Sequence, residues 1–241
     1  MTNSLYRLVE EESGAVLIEA AGLRGFFVDP DTAGSGNVLI VGPTFVRADL
    51  GRDLSDVEIR LVDRAGAVIG SYYVGRVRLA DVEQGGDDLV ATMYGHFLPY
   101  PAAGEIWARW ASGVPLSRAE WVLWPPDAHA SWLHVAQNAW FEAGKDARRY
   151  LLDDAHVFDS RNVFNEGSLY CELGESINGP GGYFGANLDG LADCLAFSRG
   201  SEASFRVVWQ HFSLAQERLG AALVEPVVAT LSEFGVEVEL Q

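Results

Sequence analysis

The sequence predicts an α+β protein with two parts, a β-rich N-terminal domain and a C-terminal domain that mixes strands and helices. Two observations carry this prediction. Short runs rich in β-branched residues, separated by Gly, Pro and Asp, recur at hairpin spacing as far as residue 124. Beyond that point strand-like segments alternate with segments of helical periodicity. At 241 residues the chain has room for two domains.

The N-terminal domain is predicted to be an antiparallel sandwich or a small barrel. Residues 57–62 alternate apolar and charged side chains, residues 63–66 contain turn-forming Asp and Gly, and residues 68–74 resume the β pattern. Many short strands at this spacing are typical of closed or two-layered antiparallel sheets. The other predicted strands are residues 5–10, 15–19, 25–28, 38–41, 77–82, 89–94, 105–110 and 120–124.

A long helix is predicted to close the N-terminal domain. A Pro-Pro-Asp sequence ends the β pattern, and its Asp127 is a favoured capping residue. The apolar residues that then follow at helical spacing are Trp132, Leu133, Ala136, Ala139, Trp140 and Ala143. Residues 145–150 continue this pattern, and residues 151–154 are a predicted hinge. The predicted domains are therefore residues 1–150, in which no family is recognised, and residues 153–241.

The C-terminal domain is predicted to be a small, mostly parallel sheet with two or three helices packed over it. Pro226 is a favoured first-turn residue of a helix, and Gly235 is a favoured residue just beyond its end. The predicted strands are residues 157–158, 205–209 and 236–240, and the predicted helices are residues 168–177, 188–195 and 226–234.

Residues 183–195, Tyr-Phe-Gly-Ala-Asn-Leu-Asp-Gly-Leu-Ala-Asp-Cys-Leu, are the most informative stretch of the chain. They predict a tight aromatic-glycine turn, a helix cap at Asn187 and a short helix. The leucines that share one face of this helix are Leu188, Leu191 and Leu195. At about 100° per residue, Asp189 and Asp193 lie together on the rim between core and solvent. The helix is therefore expected to present a pair of negative charges.

This motif resembles the signature of the barstar family, small intracellular inhibitors of secreted ribonucleases. The resemblance extends weakly over about residues 155–241, where Trp209 stands at the place of the family's central-strand tryptophan. It implies that Asp189 and Asp193 enter a ribonuclease active site in place of substrate phosphates, and that the glycine-rich loop before them contacts the partner. The implied partner-binding residues are Gly182, Tyr183, Gly185, Asn187, Asp189, Ala192 and Asp193.

The chain departs from the family pattern at two positions. Ala192 occupies a position that is often Trp, so an aromatic anchor beside the second aspartate is missing. A further acidic contact of the family falls near Thr230, where Glu225 and Glu233 are the nearby substitutes. These departures are compatible with a shifted target ribonuclease or with a different basic toxin.

The chain is strongly acidic, with a formal net charge of −17. Residues 153–241 hold 14 acidic against 4 basic residues, whereas residues 1–152 hold 20 against 13. Because such a surface repels phosphates, it excludes ordinary nucleic-acid binding and favours a basic partner. A solvated surface that serves only solubility is the simpler alternative.

Other site chemistries have less support. Residues 178–182 are glycine-rich but lack the Lys-Ser/Thr of a phosphate-binding Walker loop. Two aspartates on one exposed rim should both stay ionised, so nothing divides Asp189 and Asp193 into acid and base. The histidines, His96, His129, His134, His156 and His211, lie at no spacing typical of a metal site. We therefore expect no catalytic residue, metal or cofactor.

Cysteine usage and hydropathy predict a cytoplasmic protein. Cys171 and Cys194 are expected to be reduced thiols in helices, since the start of the chain shows no secretory signal. No uninterrupted apolar stretch approaches 18 residues, so no membrane span is expected. The seven tryptophans are interpreted as core residues.

The sequence therefore predicts a cytoplasmic, non-enzymatic inhibitor of a basic ribonuclease or nuclease toxin, acting as an immunity protein or antitoxin. The barstar-like domain would occlude the partner's active site with its acidic residues. The alternative is a ligand- or protein-binding regulatory protein that uses this domain as a scaffold. An enzyme within residues 1–150 has the least support.

Overall fold

The computed structural model describes residues 4–30, 36–81, 88–93, 98–144, 155–196 and 205–241. It contains two compact units, Met1–Val114 and Pro115–Gln241. The boundary derived from the sequence lies further along the chain, at residues 150–153, because it places the long helix with the N-terminal domain. The α+β class is confirmed, since a closed antiparallel barrel lies in the first unit and a parallel sheet with helices in the second.

The first unit is built on a closed six-stranded barrel. Its strands are β1 (Tyr6–Glu10), β2 (Val16–Arg24), β3 (Asn37–Val46), β4 (Asp53–Val62), β5 (Val68–Asp81) and β6 (Leu89–Met93). They follow the order β1-β2-β3-β6-β5-β4, and pairing of β1 with β4 closes the barrel. Alternation in β4 buries Val57, Ile59 and Leu61, while Glu58 and Arg60 between them stay partly exposed. The predicted barrel-like domain is thus confirmed.

The predicted strand at residues 105–110 is wrong, because this segment lies in helix α1 (Ala103–Trp110). Ile106 and Trp107 are consecutive and both fully buried, whereas a strand would direct them to opposite faces. The Trp107 indole N–H donates a hydrogen bond of 2.9 Å to the Tyr72 hydroxyl. The strand prediction rests on Ile106, Trp107 and Trp110, whereas Glu105, Ala108 and Arg109 between them are good helix formers.

Two further predicted strands are not found. Residues 25–28 begin at a glycine of positive φ, and among them only Phe27 makes an isolated β-bridge. Residues 120–124 form a short 3-10 helix, Glu120–Leu123, because a left-handed residue just before it turns the chain out of the extended conformation. The ends of two other predicted strands, residues 82 and 94, lie outside the described residues.

The second unit holds a parallel sheet of three strands in the order β7-β8-β9. Its elements are α2 (His129–Glu142), β7 (Ala155–Asp159), α3 (Glu166–Asn178), α4 (Leu188–Ala196), β8 (Arg206–Gln210), α5 (Phe212–Leu219), α6 (Ala221–Glu233) and β9 (Glu237–Leu240). The Trp209 indole N–H donates to the Ser160 hydroxyl at 2.7 Å in the core. The buried tryptophans are Trp107, Trp121, Trp132, Trp140 and Trp209, which confirms the predicted core role for these five, whereas Trp110 and Trp124 are partly exposed.

Helix α2 is the predicted long helix, and it packs against α3 within the second unit. The predicted cap at Asp127 is wrong, because the helix follows Ala128 and has no side-chain capping bond. At Gly167, near the start of α3, an added Cβ would lie 2.8 Å from the backbone nitrogen of Ala130. The Asn165 side-chain amide, just before α3, donates to the Pro126 carbonyl at 2.6 Å. The predicted continuation and hinge, residues 145–154, lie outside the described residues.

The end of the chain differs from the prediction in two helices. Helix α5 was not predicted, because it is short, buries only Ala215 and begins at the left-handed His211 rather than at a favoured capping residue. Helix α6 begins at Ala221, so Pro226 lies inside it and not in its first turn. Gly220, with φ of 82°, separates the two helices and sets this earlier start.

Candidate functional site

Helix α4 begins at the predicted cap. The Asn187 side-chain oxygen accepts a hydrogen bond of 2.7 Å from the Gly190 N–H, and its carbonyl accepts one of 2.9 Å from the Leu191 N–H. Leu191 and Leu195 are buried, as predicted. Leu188 is 38% exposed, so the predicted leucine face reaches the core only after the first turn.

Asp189 and Asp193 are both exposed and lie one helical turn apart on α4. Within the described part of the chain, no salt bridge involves either carboxylate. Their charges act instead on two buried phenols, that of Asp189 on Tyr170 and that of Asp193 on Tyr183. Burial raises the pKa of Tyr183, with Cys194 and Asp193 adding to the rise. Within the part of the chain that the structure describes, the pair therefore offers solvent two negative charges with no paired cation.

Glycines hold the loop before α4 close to the body of the unit. An added Cβ on Gly182 would lie 2.7 Å from the Gly174 carbonyl oxygen in α3. Gly185 has φ of 91°, and a Cβ there would lie 2.7 Å from the Leu191 nitrogen. Both glycines are buried, so they shape the loop through close packing while their own atoms face the interior.

Tyr183 supports α4 from the interior. Its side chain is 3% exposed, and its hydroxyl lies 3.5 Å from the position of a Cβ on Gly190. The Phe141 ring of α2 packs against it, with ring centroids 5.5 Å apart and the rings at 63°. The resemblance implies that Tyr183 binds the partner, but its ring is buried, and the exposed ring here is that of Phe141. Ala192 is partly exposed and Asn187 is exposed on the same helix region.

A buried acidic pair on α3, which sequence reasoning missed, fixes the glycine loop. The Glu175 carboxylate accepts hydrogen bonds from the Gly181 N–H at 2.9 Å and from the Ala119 N–H at 2.6 Å. Arg118 pairs with Glu172 and also donates to the Glu175 carbonyl at 2.8 Å. The signal in the sequence is two glutamates, i and i+3, inside an otherwise buried helix.

These partners oppose the electrostatic cost of burial. Burial raises the pKa of Glu175, while the hydrogen bonds from Gly181 and Ala119 and the charge of Arg118 act to lower it. Burial likewise raises the pKa of Glu172. The network ties α3, residues 118–119 and the loop into one arrangement behind α4.

The remaining candidate residues have simple environments. Glu225 and Glu233, the substitutes for the missing acidic contact, are exposed on α6, which packs against α4. Cys171 and Cys194 are buried free thiols, and burial raises the pKa of Cys194 to about 11, so neither is a reactive thiolate.

Among the described residues, no group of His, Cys, Asp and Glu could hold a metal ion. None of the described helices has the length and apolar character to span a membrane.

Comparisons with known proteins bear on the second unit. Curated proteins give no significant match. A family model matches residues 154–240, close to the limits over which the sequence resembles a known family. The match extends from β7 to β9 and includes the acidic pair of α4, whereas α2 and the barrel lie outside it. The matching model is that of Barstar (barnase inhibitor), so residues 154–240 are similar to that family.

Proposed function

We propose that this protein inhibits a basic ribonuclease or nuclease toxin by inserting the acidic pair of α4 into its active site. The observation that carries the proposal is the exposure of Asp189 and Asp193 on a domain whose family model describes barnase inhibitors. Exposed carboxylates that form no salt bridge among the described residues are suited to pair with the basic residues that normally bind substrate phosphates.

The charge of the domain supports fast capture of such a partner. Residues 153–241 carry 14 acidic and 4 basic residues, which gives a net charge of −10. A surface of this sign steers a basic protein and raises the association rate at low ionic strength.

The local structure supports tight binding by a preformed surface. The Asn187 cap, the close packing of Gly182 and Gly185 and the Glu175 network hold α4 and its loop before any partner arrives. Less conformational freedom is then lost on binding, so more of the contact energy contributes to affinity.

The setting that we propose is the cytoplasm of the producing cell, where the protein acts without catalysis as an immunity protein or antitoxin. The two free, buried thiols support a reducing compartment. In the alternative, a regulatory protein would use the same domain as a scaffold and would leave RNA cleavage by basic ribonucleases unaffected.

The test is a titration of the full chain into RNA-cleavage assays with barnase and a panel of other basic microbial ribonucleases. We expect stoichiometric inhibition of at least one enzyme, and an association rate that falls as salt rises from about 0.01 to 1 M. Inhibition with an association rate independent of salt would contradict the charge-based mode, and no inhibition across the panel would favour the scaffold alternative.

A further inference from the structure

Phe141 is an exposed aromatic residue beside the proposed binding surface. It lies in the last turn of α2 and is 54% exposed, whereas the other large apolar residues of this helix are buried. Those buried residues are Trp132, Leu133, Val135 and Trp140. Because α2 precedes residue 154, Phe141 lies outside the part of the chain that matches the family model.

The ring of Phe141 packs against Tyr183, which is buried next to α4. The two ring centroids lie 5.5 Å apart in an edge-to-face arrangement. On its other side Tyr183 reaches α4, since its hydroxyl lies 3.5 Å from the position of a Cβ on Gly190 and the charge of Asp193 acts on it. One buried ring therefore separates Phe141 from the helix that carries the aspartates.

Helix α4 itself brings little apolar area to this surface. Ala192 offers only a methyl group beside Asp193, and Leu188 is the only large apolar side chain of α4 that is classed as exposed among its described residues. A surface of carboxylates alone would attract a basic partner but would exclude water poorly. The most stabilising contacts of protein interfaces are aromatic or arginine side chains that become fully buried.

We propose that the bound nuclease covers Phe141, so that the partner-binding surface extends from the domain that matches the family model onto α2. The chemistry that fits an exposed aromatic ring on the same unit as two exposed carboxylates is a guanidinium, which can pair with a carboxylate or stack on a ring face. The occupant is therefore an arginine at the edge of the basic active-site cleft. This inference rests on the proposed function and names an additional contact for it.

The experiment measures the dissociation constant of the full chain for the ribonuclease that it inhibits, using Phe141→Ala, Phe141→Leu and Asp193→Ala. Phe45→Ala is the matched control, since Phe45 is 45% exposed on β3 of the barrel unit. We expect Phe141→Ala to weaken binding at least about 10-fold and Phe45→Ala less than about 2-fold. Phe141→Leu should lie between them, because it keeps apolar area and loses the ring.

Hydrogen exchange of the free variants separates a contact role from support of Tyr183. The inference predicts that α4 exchanges at the wild-type rate in Phe141→Ala. Faster exchange of α4 together with weaker binding would assign Phe141 to positioning and overturn the contact. Unchanged affinity of Phe141→Ala, with Asp193→Ala still weakened, would overturn this inference alone. Unchanged affinity in both variants, or no inhibition by the wild type, would overturn the proposed function as well.

Discussion

Two acidic pairs on successive helices of the second unit have opposite environments. Glu172 and Glu175 on α3 are buried, 3% and 1% exposed, and are bound by Arg118 and by backbone N–H groups. Asp189 and Asp193 on α4 are exposed, and no salt bridge involves either within the described residues. The first pair stabilises the glycine-rich loop before α4, whereas the second pair is exposed to solvent. A spacing of about one helical turn therefore does not by itself distinguish structural carboxylates from binding carboxylates.

The largest expected effect concerns the segment that supplies Arg118 and α2. Residues 115–241 should fold alone, whereas residues 153–241 lack Arg118 and the helix α2 that packs against α3. We expect the shorter fragment to be less stable by more than about 5 kcal/mol, comparable with the whole stability of a small domain. Urea unfolding of both fragments measures the difference. Equal stability would support instead the boundary near residue 150 that the sequence predicts.

A substitution of Glu175 tests the buried pair of α3 directly. Glu175→Ala leaves the Gly181 and Ala119 N–H groups without their acceptor, at about 1–3 kcal/mol for each buried unsatisfied donor. We expect a loss of unfolding free energy on the order of 3 kcal/mol by denaturant titration. Glu225→Ala, which removes an exposed glutamate of α6, is the matched control and should stay within about 0.5 kcal/mol. Equal effects would show that burial of the α3 pair has no energetic consequence.

The pH dependence of stability sharpens the contrast between buried and exposed titratable groups. Burial lowers the pKa of His134 to about 4, against an ordinary value of 6.5. The neutral imidazole therefore contributes stability that is present above pH 6.5 and lost as the pH falls towards 4. Burial raises the pKa of Glu172 and of Glu175, so these groups act in the opposite sense. The stability that their neutral forms contribute is lost as the pH rises.

We expect His134→Gln to remove the imidazole contribution. Between pH 7 and pH 4 the wild type should lose about 3 kcal/mol more unfolding free energy than the variant. Urea titrations at closely spaced pH values measure both curves. Parallel curves would mean that His134 ionises freely in the folded protein.

The sequence predicts α4 and its charges well, because the capping residue, the leucine spacing and the aspartates lie within one short segment. It predicts the barrel from alternation in segments such as β4. It fails at α1, where Ile106 and two tryptophans suggest a strand while the burial pattern is that of a helix. It also misses Arg118, Glu175 and Phe141, because their roles depend on contacts between segments far apart in the chain.

The smallest expected effect on folding belongs to the α4 pair. Asp189→Ala removes a carboxylate from the first turn of a helix and should cost about 0.3–1 kcal/mol of stability. Asp193→Ala should cost no more, since the side chain is exposed and its truncation leaves no cavity. Thermal unfolding of the two variants checks this. A loss comparable with that of Glu175→Ala would show that the pair is structural after all.

The most direct test of the central claim is the inhibition constant of Asp193→Ala against the ribonuclease that the wild type inhibits. In a complex the substitution leaves basic groups of the partner buried and unpaired, at about 2–5 kcal/mol, a range for which the barnase–barstar complex is itself the reference system. We expect at least ~30-fold weaker inhibition, a smaller loss for Asp189→Ala, and no change for Glu217→Ala, an exposed glutamate of α5. Unchanged inhibition by a folded Asp193→Ala would contradict the account.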